Sequence, residues 1–165
     1  MQIRESEKHF EKLVKEHELL IYKICRMYAY TVADRQDLFQ EIVIQLWNAF
    51  PKFKGQSKLS TWLYRVAINT AITGLRKKKD FIQSYEHADL PTNISEDSSG
   101  HVEERLQEMY KAIEKLNQIE KAIVMLYLED KTYEEMEDIL GISQGNLRVK
   151  MNRVKDKLRN LANKN

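Results

Sequence analysis

Basic and aromatic side chains alternate in residues 51–79, a stretch with eight lysines and arginines and no aspartate or glutamate. Its aromatic residues are Phe53, Trp62 and Tyr64. Phosphates need a cationic track and unstacked bases need flat π faces, so this combination is typical of single-stranded nucleic-acid binding. Steps of three and four place one set of side chains on a single helix face: Trp62, Arg65, Asn69, Thr73 and Arg76. The alternative is that the aromatics belong to a core and that the lysines at the helix end complement the helix dipole.

A second basic zone follows the turn at residues 140–143, which separates a short predicted helix from a longer basic one. Gly141 can adopt the left-handed conformation of a sharp turn, and Ser143 can cap the second helix. This spacing predicts a helix-turn-helix. The outer face of its second helix would carry groups suited to a major groove: Gln144, Arg148, Asn152, Lys155 and Arg159. The alternative is a solvated basic helix in an ordinary bundle.

Carboxylates are the third polar group with a regular spacing. Asp34, Asp37 and Glu41 form an acidic stripe on a predicted helix, with Gln40 and Gln45 near it. The sequence places no nucleophile, histidine cluster or phosphate-binding loop beside them. We therefore expect no catalytic residue, no cofactor and no metal, and we interpret the stripe as a solvated face or a protein contact.

Helices must position all three groups, because the chain is 42% hydrophobic and 32% charged and has only five glycines and two prolines. A periodic apolar pattern predicts one helix over residues 6–30, and a second helix opens at cap candidates Thr31 and Asp34 and stops at Pro51. These two helices would form a hairpin. A third helix, capped by Ser60 or Thr61, would run to Lys79.

The acidic segment 80–101 lacks an apolar period and predicts a flexible linker, since residues 80–104 contain seven acids and no lysine or arginine. The fold class is therefore all-α: two small helical domains, residues 1–79 and 102–165, joined by this linker, the C-terminal one a helix-turn-helix. In the second domain a helix break falls at Asn117, and Thr132 starts the short helix that ends at Gly141. The single cysteine, Cys25, indicates a reducing, cytoplasmic setting, and the charged N-terminal sequence predicts neither a signal peptide nor a membrane span.

Two sets of motifs, in this order, resemble the extracytoplasmic-function group of bacterial RNA polymerase sigma factors, within the sigma-70 family. Residues 37–41 (DLFQE), 46–47 (LW), 53–55 (FKG) and 60–69 (STWLYRVAIN) resemble sigma region 2. Residues 133–136 (YEEM), 140–143 (LGIS) and 147–153 (LRVKMNR) resemble sigma region 4. The resemblance covers nearly the whole chain outside the linker.

The resemblance implies a transcription initiation factor that is not an enzyme and that directs core RNA polymerase to promoters. Core polymerase would be bound by Asp37, Gln40, Glu41 and Gln45. Melted DNA of the −10 element would be bound by Lys54, Gln56, Ser57, Lys58, Trp62, Arg65, Asn69 and Arg76. Duplex DNA of the −35 element would be read by Gln144, Arg148, Val149, Lys150, Asn152 and Arg153.

The implied partners are bacterial core RNA polymerase, promoter DNA and, as in many relatives, an anti-sigma factor. We expect no direct membrane contact and a monomer when free. The first alternative is a conventional dimeric helix-turn-helix regulator, which predicts a palindromic site. The second is a helical interaction protein that does not bind nucleic acid.

Overall fold

The computed structural model describes residues 2–84 and 101–163, with side chains for residues 2–74 and 104–163. The chain divides into two compact units, Met1–Leu90 and Pro91–Asn165. Helices α1 to α4 lie in the first unit and α5 to α8 in the second, and no strand occurs within the described residues. The all-α prediction is confirmed. The linker prediction for residues 80–101 lies mostly outside the described residues, and the domain bounds at 79 and 102 stay predictions.

The N-terminal apolar pattern forms two helices, α1 (Gln2–Glu16) and α2 (Glu18–Tyr28). The prediction of one helix over residues 6–30 is wrong, because the backbone leaves the helical conformation at His17 (φ −112°, ψ 14°). The Nδ1 of His17 donates to the Leu13 carbonyl at 3.0 Å, and this carbonyl also accepts the backbone N–H of His17 at 3.1 Å. His9 makes the same kind of bond, from its Nδ1 to the Glu5 carbonyl at 2.9 Å, inside the unbroken helix α1, so the side-chain bond alone does not explain the break at His17.

Helix α3 (Val32–Ala49) starts as predicted at Thr31, whose hydroxyl accepts the Asp34 backbone N–H at 3.0 Å. A short 3₁₀ turn (Phe50–Lys52) containing Pro51 follows α3. Arg35 closes the turn between α2 and α3, since its Nε donates to the Ala29 carbonyl at 3.0 Å and its guanidinium also reaches the Tyr30 carbonyl.

Helix α4 spans Leu59–Ser84 and so begins before the predicted caps Ser60 and Thr61. The Lys58 carbonyl accepts the Trp62 N–H at 3.1 Å, which places the first helical turn two to three residues earlier than predicted. The helix also extends to Ser84, beyond the predicted helix end at Lys79. Helices α2, α3 and α4 pack around side chains with no exposed surface: Ile21, Ile24, Ile42, Leu46 and Leu63.

The second unit contains α5 (His101–Glu114), α6 (Gln118–Leu128), α7 (Tyr133–Leu140) and α8 (Gln144–Asn163). Asn117 caps α6 in a capping box, in which its Oδ1 accepts the Glu120 N–H at 2.8 Å and Glu120 Oε1 accepts the Asn117 N–H at 3.1 Å. Thr132 accepts the Glu135 N–H at 3.1 Å at the start of α7. The predicted cap at Thr132 and the helix break at Asn117 are confirmed.

The turn between α7 and α8 has the predicted geometry. Gly141 adopts φ +71° and ends α7, and the Ser143 hydroxyl accepts the Asn146 N–H at 3.4 Å at the start of α8. Leu147, Met151 and Val154 bury the inner side of α8. The second unit is therefore a helix-turn-helix in which the opposite side of α8 faces outward.

Candidate nucleic-acid interfaces

The acidic stripe lies on the outer side of α3. All four residues predicted to bind a protein are exposed: Asp37, Gln40, Glu41 and Gln45. The Gln45 amide donates to Glu41 Oε1 at 3.1 Å, so the face has one internal hydrogen bond. Ile44, 51% exposed, lies one helical turn after Gln40 and Glu41. The face thus combines negative charge with an apolar side chain that a protein partner could bury.

The loop between the 3₁₀ turn and α4 presents polar groups without helical structure. Lys54, Gln56 and Lys58 are exposed, whereas Ser57 is half-buried and its hydroxyl donates to the Lys58 carbonyl at 3.4 Å. Gly55 has φ +73°, a conformation that glycine adopts without steric cost and that bends the loop there. The loop therefore carries two lysines beside the start of α4.

Trp62 lies where the loop meets α4, and its ring is half-buried. Its ring centroid lies 5.0 Å from that of Phe53 and 6.4 Å from that of Phe50. Phe50 in turn contacts Phe10 of α1 at 5.6 Å, and Phe10 contacts Trp47 at 5.0 Å. Five rings thus connect α1 and α3 to the loop. The part of this support that comes from Phe10 was missed in the sequence, because Phe10 lies far from the other four rings along the chain.

The other predicted residues of α4 divide into three groups. Arg65 and Asn69 are exposed and share a face with Trp62. Tyr64 is only 2% exposed and belongs to the core, as the alternative interpretation of these aromatic residues predicted. Tyr64 lies two residues after Trp62, a rotation of about 200° around the helix axis, so its side chain points inward. The side chain of Arg76 lies outside the described residues.

The outer face of α8 has the predicted composition. Exposed side chains are Arg148, Val149, Lys150, Asn152 and Arg153, whereas Gln144 is half-buried at the helix start. Val149, Asn152 and Arg153 lie opposite the buried stripe, and Arg148 and Lys150 flank them on either side. Two guanidinium groups, which suit guanine or phosphate, and one amide, which suits adenine, therefore lie on the exposed side of α8.

Three basic side chains of α8 contact α6 or α7, which the sequence reasoning did not predict. The Arg148 Cζ lies 5.0 Å from the Tyr133 ring centroid, and the Lys155 Nζ lies 5.0 Å from that of Tyr127. The Lys157 ammonium binds both carboxylate oxygens of Glu120, at 2.9 and 2.8 Å. Lys155 is half-buried against α6, so its predicted place on the open face of α8 is corrected.

Two titratable side chains of the first unit, Cys25 and Tyr28, are buried in its core. Burial raises the pKa of the Cys25 thiol to about 12 despite the opposing charge of Arg35, and burial also raises the pKa of the Tyr28 hydroxyl. A thiol held neutral in this way is a poor nucleophile. Among the described residues no three histidine, cysteine or acidic side chains could hold a metal ion, and no helix is long and apolar enough to cross a membrane.

Two family models match the chain, sigma-70 region 2 at residues 13–81 and sigma-70 region 4 at residues 106–158. The ECF RNA polymerase sigma factor SigG of Mycobacterium tuberculosis (strain ATCC 25618 / H37Rv) is 36% identical over 91 residues, 53% of this chain and 22% of that protein. The ECF RNA polymerase sigma factor SigW of Bacillus subtilis (strain 168) is 25% identical over 162 residues, 91% of this chain and 87% of that protein. The chain thus spans about a fifth of SigG and most of SigW.

The fold is also that of a solved sigma factor. The sigma factor RpoE of Bartonella quintana, in complex with the anti-sigma factor NepR, matches with a TM-score of 0.75 at 19% identity, over 94% of this chain and 98% of that one. The two family models match in the order that the sequence motifs predicted, and each falls on one of the two compact units. The chain therefore belongs to the sigma-70 family of bacterial RNA polymerase sigma factors, in its extracytoplasmic-function group.

Proposed function

We propose that this protein is an alternative sigma factor that binds core RNA polymerase and directs it to promoters. The observation that carries the proposal is that two basic surfaces suited to different forms of DNA occur in separate units, with an acidic face on the first. A conventional regulator would have no evident need for the loop that carries Lys54 and Lys58 or for the supported ring of Trp62 beside it. Polymerase performs the chemistry, and the sigma factor supplies recognition.

Core polymerase would be bound by the outer face of α3, through Asp37, Gln40, Glu41 and Gln45. The family resemblance points to the clamp helices of the largest subunit as the partner surface. The two carboxylates favour a basic partner, and Ile44 offers apolar area for burial. Charge complementarity of this kind sets orientation and association rate.

Melted −10 DNA would be bound by the loop and by the face of α4 that begins with Trp62. Removing a base from the duplex stack requires a few kcal/mol, so a loop that captures that base couples recognition to strand opening. Lys54 and Lys58 would contact phosphates, and the half-buried Trp62 ring offers a π face held by Phe53 and Phe50.

The −35 element would be read as duplex by α8. Arg148 and Arg153 suit guanine or phosphate, Asn152 suits adenine, and Val149 suits a thymine methyl group. Lys150 and Gln144 would contact the sugar–phosphate backbone of the DNA. With one element read as duplex and the other as single strand, the factor would recognise a promoter only where both occur at a fixed separation.

The protein would act in the cytoplasm, where core polymerase and the chromosome are found. An anti-sigma factor is a further partner that we propose, since the solved RpoE of Bartonella quintana is bound to one. A partner of this kind would keep the sigma factor from polymerase until a signal releases it.

Co-purification with bacterial core RNA polymerase tests the proposal. We expect stoichiometric binding by the wild type and loss of binding in Asp37→Lys and Glu41→Lys. The matched control is Glu7→Lys, which reverses an exposed charge on a different helix, α1. Failure of the wild type to bind core polymerase, together with dimeric binding to a palindromic duplex, would favour the conventional regulator instead.

A further inference from the structure

A tyrosine ring from α7 lies against the guanidinium of an arginine from α8. Tyr133 is the first residue of α7, and the Arg148 Cζ is 5.0 Å from its ring centroid. This distance is within the range of a cation–π contact. Tyr133 is half-buried and Arg148 is exposed, so the ring is held by the protein whereas the guanidinium remains accessible.

Local hydrogen bonds fix both ends of this contact. The Thr132 cap, which accepts the Glu135 N–H at 3.1 Å, sets the position of Tyr133 at the start of α7. Gly141 and the Ser143 cap set the angle at which α8 leaves the turn, and Arg148 follows in the second turn of α8. The ring therefore meets the guanidinium through backbone geometry that does not depend on DNA.

Support of this kind matters for an arginine that reads a base. Bidentate binding to guanine O6 and N7 requires the guanidinium to lie in the plane of the base. A free arginine side chain samples many rotamers, and ordering them reduces affinity. A ring that already restricts the guanidinium in the unbound protein removes part of this loss.

We propose that Tyr133 is a positioning residue that holds Arg148 in its base-reading orientation. This inference rests on the proposed function, because it concerns the same −35 surface. It assigns no DNA contact to Tyr133: the ring acts through Arg148, and the tyrosine hydroxyl is not required.

A second tyrosine–cation pair on α8 provides a matched control. Lys155 lies 5.0 Å from the ring centroid of Tyr127, the same distance as in the first pair. Lys155 is half-buried against α6 and lies beside, not on, the outward face of Val149, Asn152 and Arg153. Tyr127→Leu removes an equivalent ring without touching the proposed reader, so it should leave base preference unchanged.

The test uses holoenzyme reconstituted from the full chain and core polymerase, with promoter fragments selected from a library randomised in the −35 element. Arg148→Ala should relax the preference at one base pair. Tyr133→Leu should relax it at the same base pair and weaken binding about two- to five-fold, the range of an exposed cation–π contact. Tyr133→Phe, which keeps the ring, should match the wild type. In the Arg148→Ala background, Tyr133→Leu should have no further effect.

Each other outcome has a defined meaning. An equal loss in Tyr133→Phe would show that the hydroxyl contacts DNA, and a Tyr133→Leu effect that persists without Arg148 would show an independent role; both overturn the proposal. Wild-type preference in Tyr133→Leu also overturns it. If Tyr133→Leu lacks wild-type helix content, Tyr133→Met replaces it as a flexible side chain without a π face. A wild-type holoenzyme that selects no −35 sequence would contradict the proposed function itself.

Discussion

Glu120 connects the start of α6 to α8, and its substitution should destabilise the second unit selectively. Its carboxylate accepts the Asn117 N–H at 3.1 Å in the capping box and binds the Lys157 ammonium with both oxygens. The Glu120 side chain is 10% exposed and that of Lys157 is 54% exposed. The informative variants are Glu120→Ala, which removes both interactions, and Glu120→Gln, which can retain the capping box but loses the ion pair.

The expected loss in the free energy of unfolding follows from the two interactions of Glu120, the capping box and the ion pair. The reciprocal half of a capping box stabilises a helix by about 1 kcal/mol. An ion pair with one mostly buried and one half-exposed partner lies between the surface and buried cases, and we assign it about 1 kcal/mol. Glu120→Ala should therefore lower the free energy of unfolding by about 2 kcal/mol and Glu120→Gln by about 1 kcal/mol. In a domain of this size the first corresponds to a Tm lower by roughly 10 °C.

The placement of the tryptophans allows the two units to be monitored separately. Trp47 and Trp62 are the only tryptophans, and both lie in the first unit. Urea unfolding followed by circular dichroism should show the Glu120→Ala loss, whereas the midpoint from tryptophan fluorescence should stay at its wild-type value. The double variant Glu120→Gln, Lys157→Met should be no less stable than either single variant. A loss below about 0.5 kcal/mol for Glu120→Ala, or an equal shift of the fluorescence midpoint, would refute the reasoning.

Three further predictions concern strain, thiol reactivity and DNA affinity. Asp130 has φ +58° at the end of α6, so Asp130→Gly should stabilise the second unit by about 0.5 kcal/mol in the same urea assay, whereas Glu137→Gly within α7 should destabilise it by about 1 kcal/mol. Because the pKa of Cys25 is raised to about 12, the native thiol at pH 8 should react with a disulfide reagent at least a thousandfold more slowly than the thiol of the unfolded protein in urea. Equal rates would contradict the burial of this thiol. The same pKa shift predicts that the free energy of unfolding falls as the pH rises above the ordinary thiol pKa. In holoenzyme binding to promoter DNA, Arg153→Ala should reduce the slope of log K against log salt by about one, and Lys157→Met should leave the slope unchanged.

Features set by neighbours three or four residues apart were predictable from the sequence. The caps at Thr31, Thr132 and Ser143 and the left-handed Gly141 depend on side chains and backbone groups within a single turn. A cap residue satisfies amides that the helix itself leaves unpaired, so at these positions the residue type together with the following apolar pattern indicated the helix start. The helix-turn-helix could be located for this reason.

Helix boundaries set by the backbone conformation at one residue were not predictable. The apolar pattern continues through His17, yet the backbone leaves the helical conformation there and the helix divides. At the start of α4 the backbone carbonyl of Lys58 begins the helix, although Ser60 and Thr61 are the residue types that favour a cap. In both places the residue types indicated one helix boundary, and the backbone of the folded protein has the boundary at another residue.

Contacts between distant segments were also beyond the sequence. Glu120 and Lys157 are 37 residues apart, and the rings that support Trp62 come from α1, α3 and the 3₁₀ turn. Such pairs depend on how helices pack, and spacing along one helix carries no information about them. The proposed site residues could be named from types and motifs, but the groups that hold them could not.

The packing also separates the basic residues of α8 by the kind of partner each one has. Lys157 is bound by a carboxylate, and Arg159 lies 3.7 Å from Asp156, so the positive charge in the C-terminal half of the helix is partly neutralised. Arg148 contacts a ring that carries no net charge, so its full charge remains available to a phosphate or a base. The positive potential of α8 should therefore be strongest over its N-terminal half, where the helix dipole adds to it. Because charged surfaces orient DNA before bases are read, this asymmetry favours a complex in which the first turns of α8 enter the groove and the last turns lie outside it.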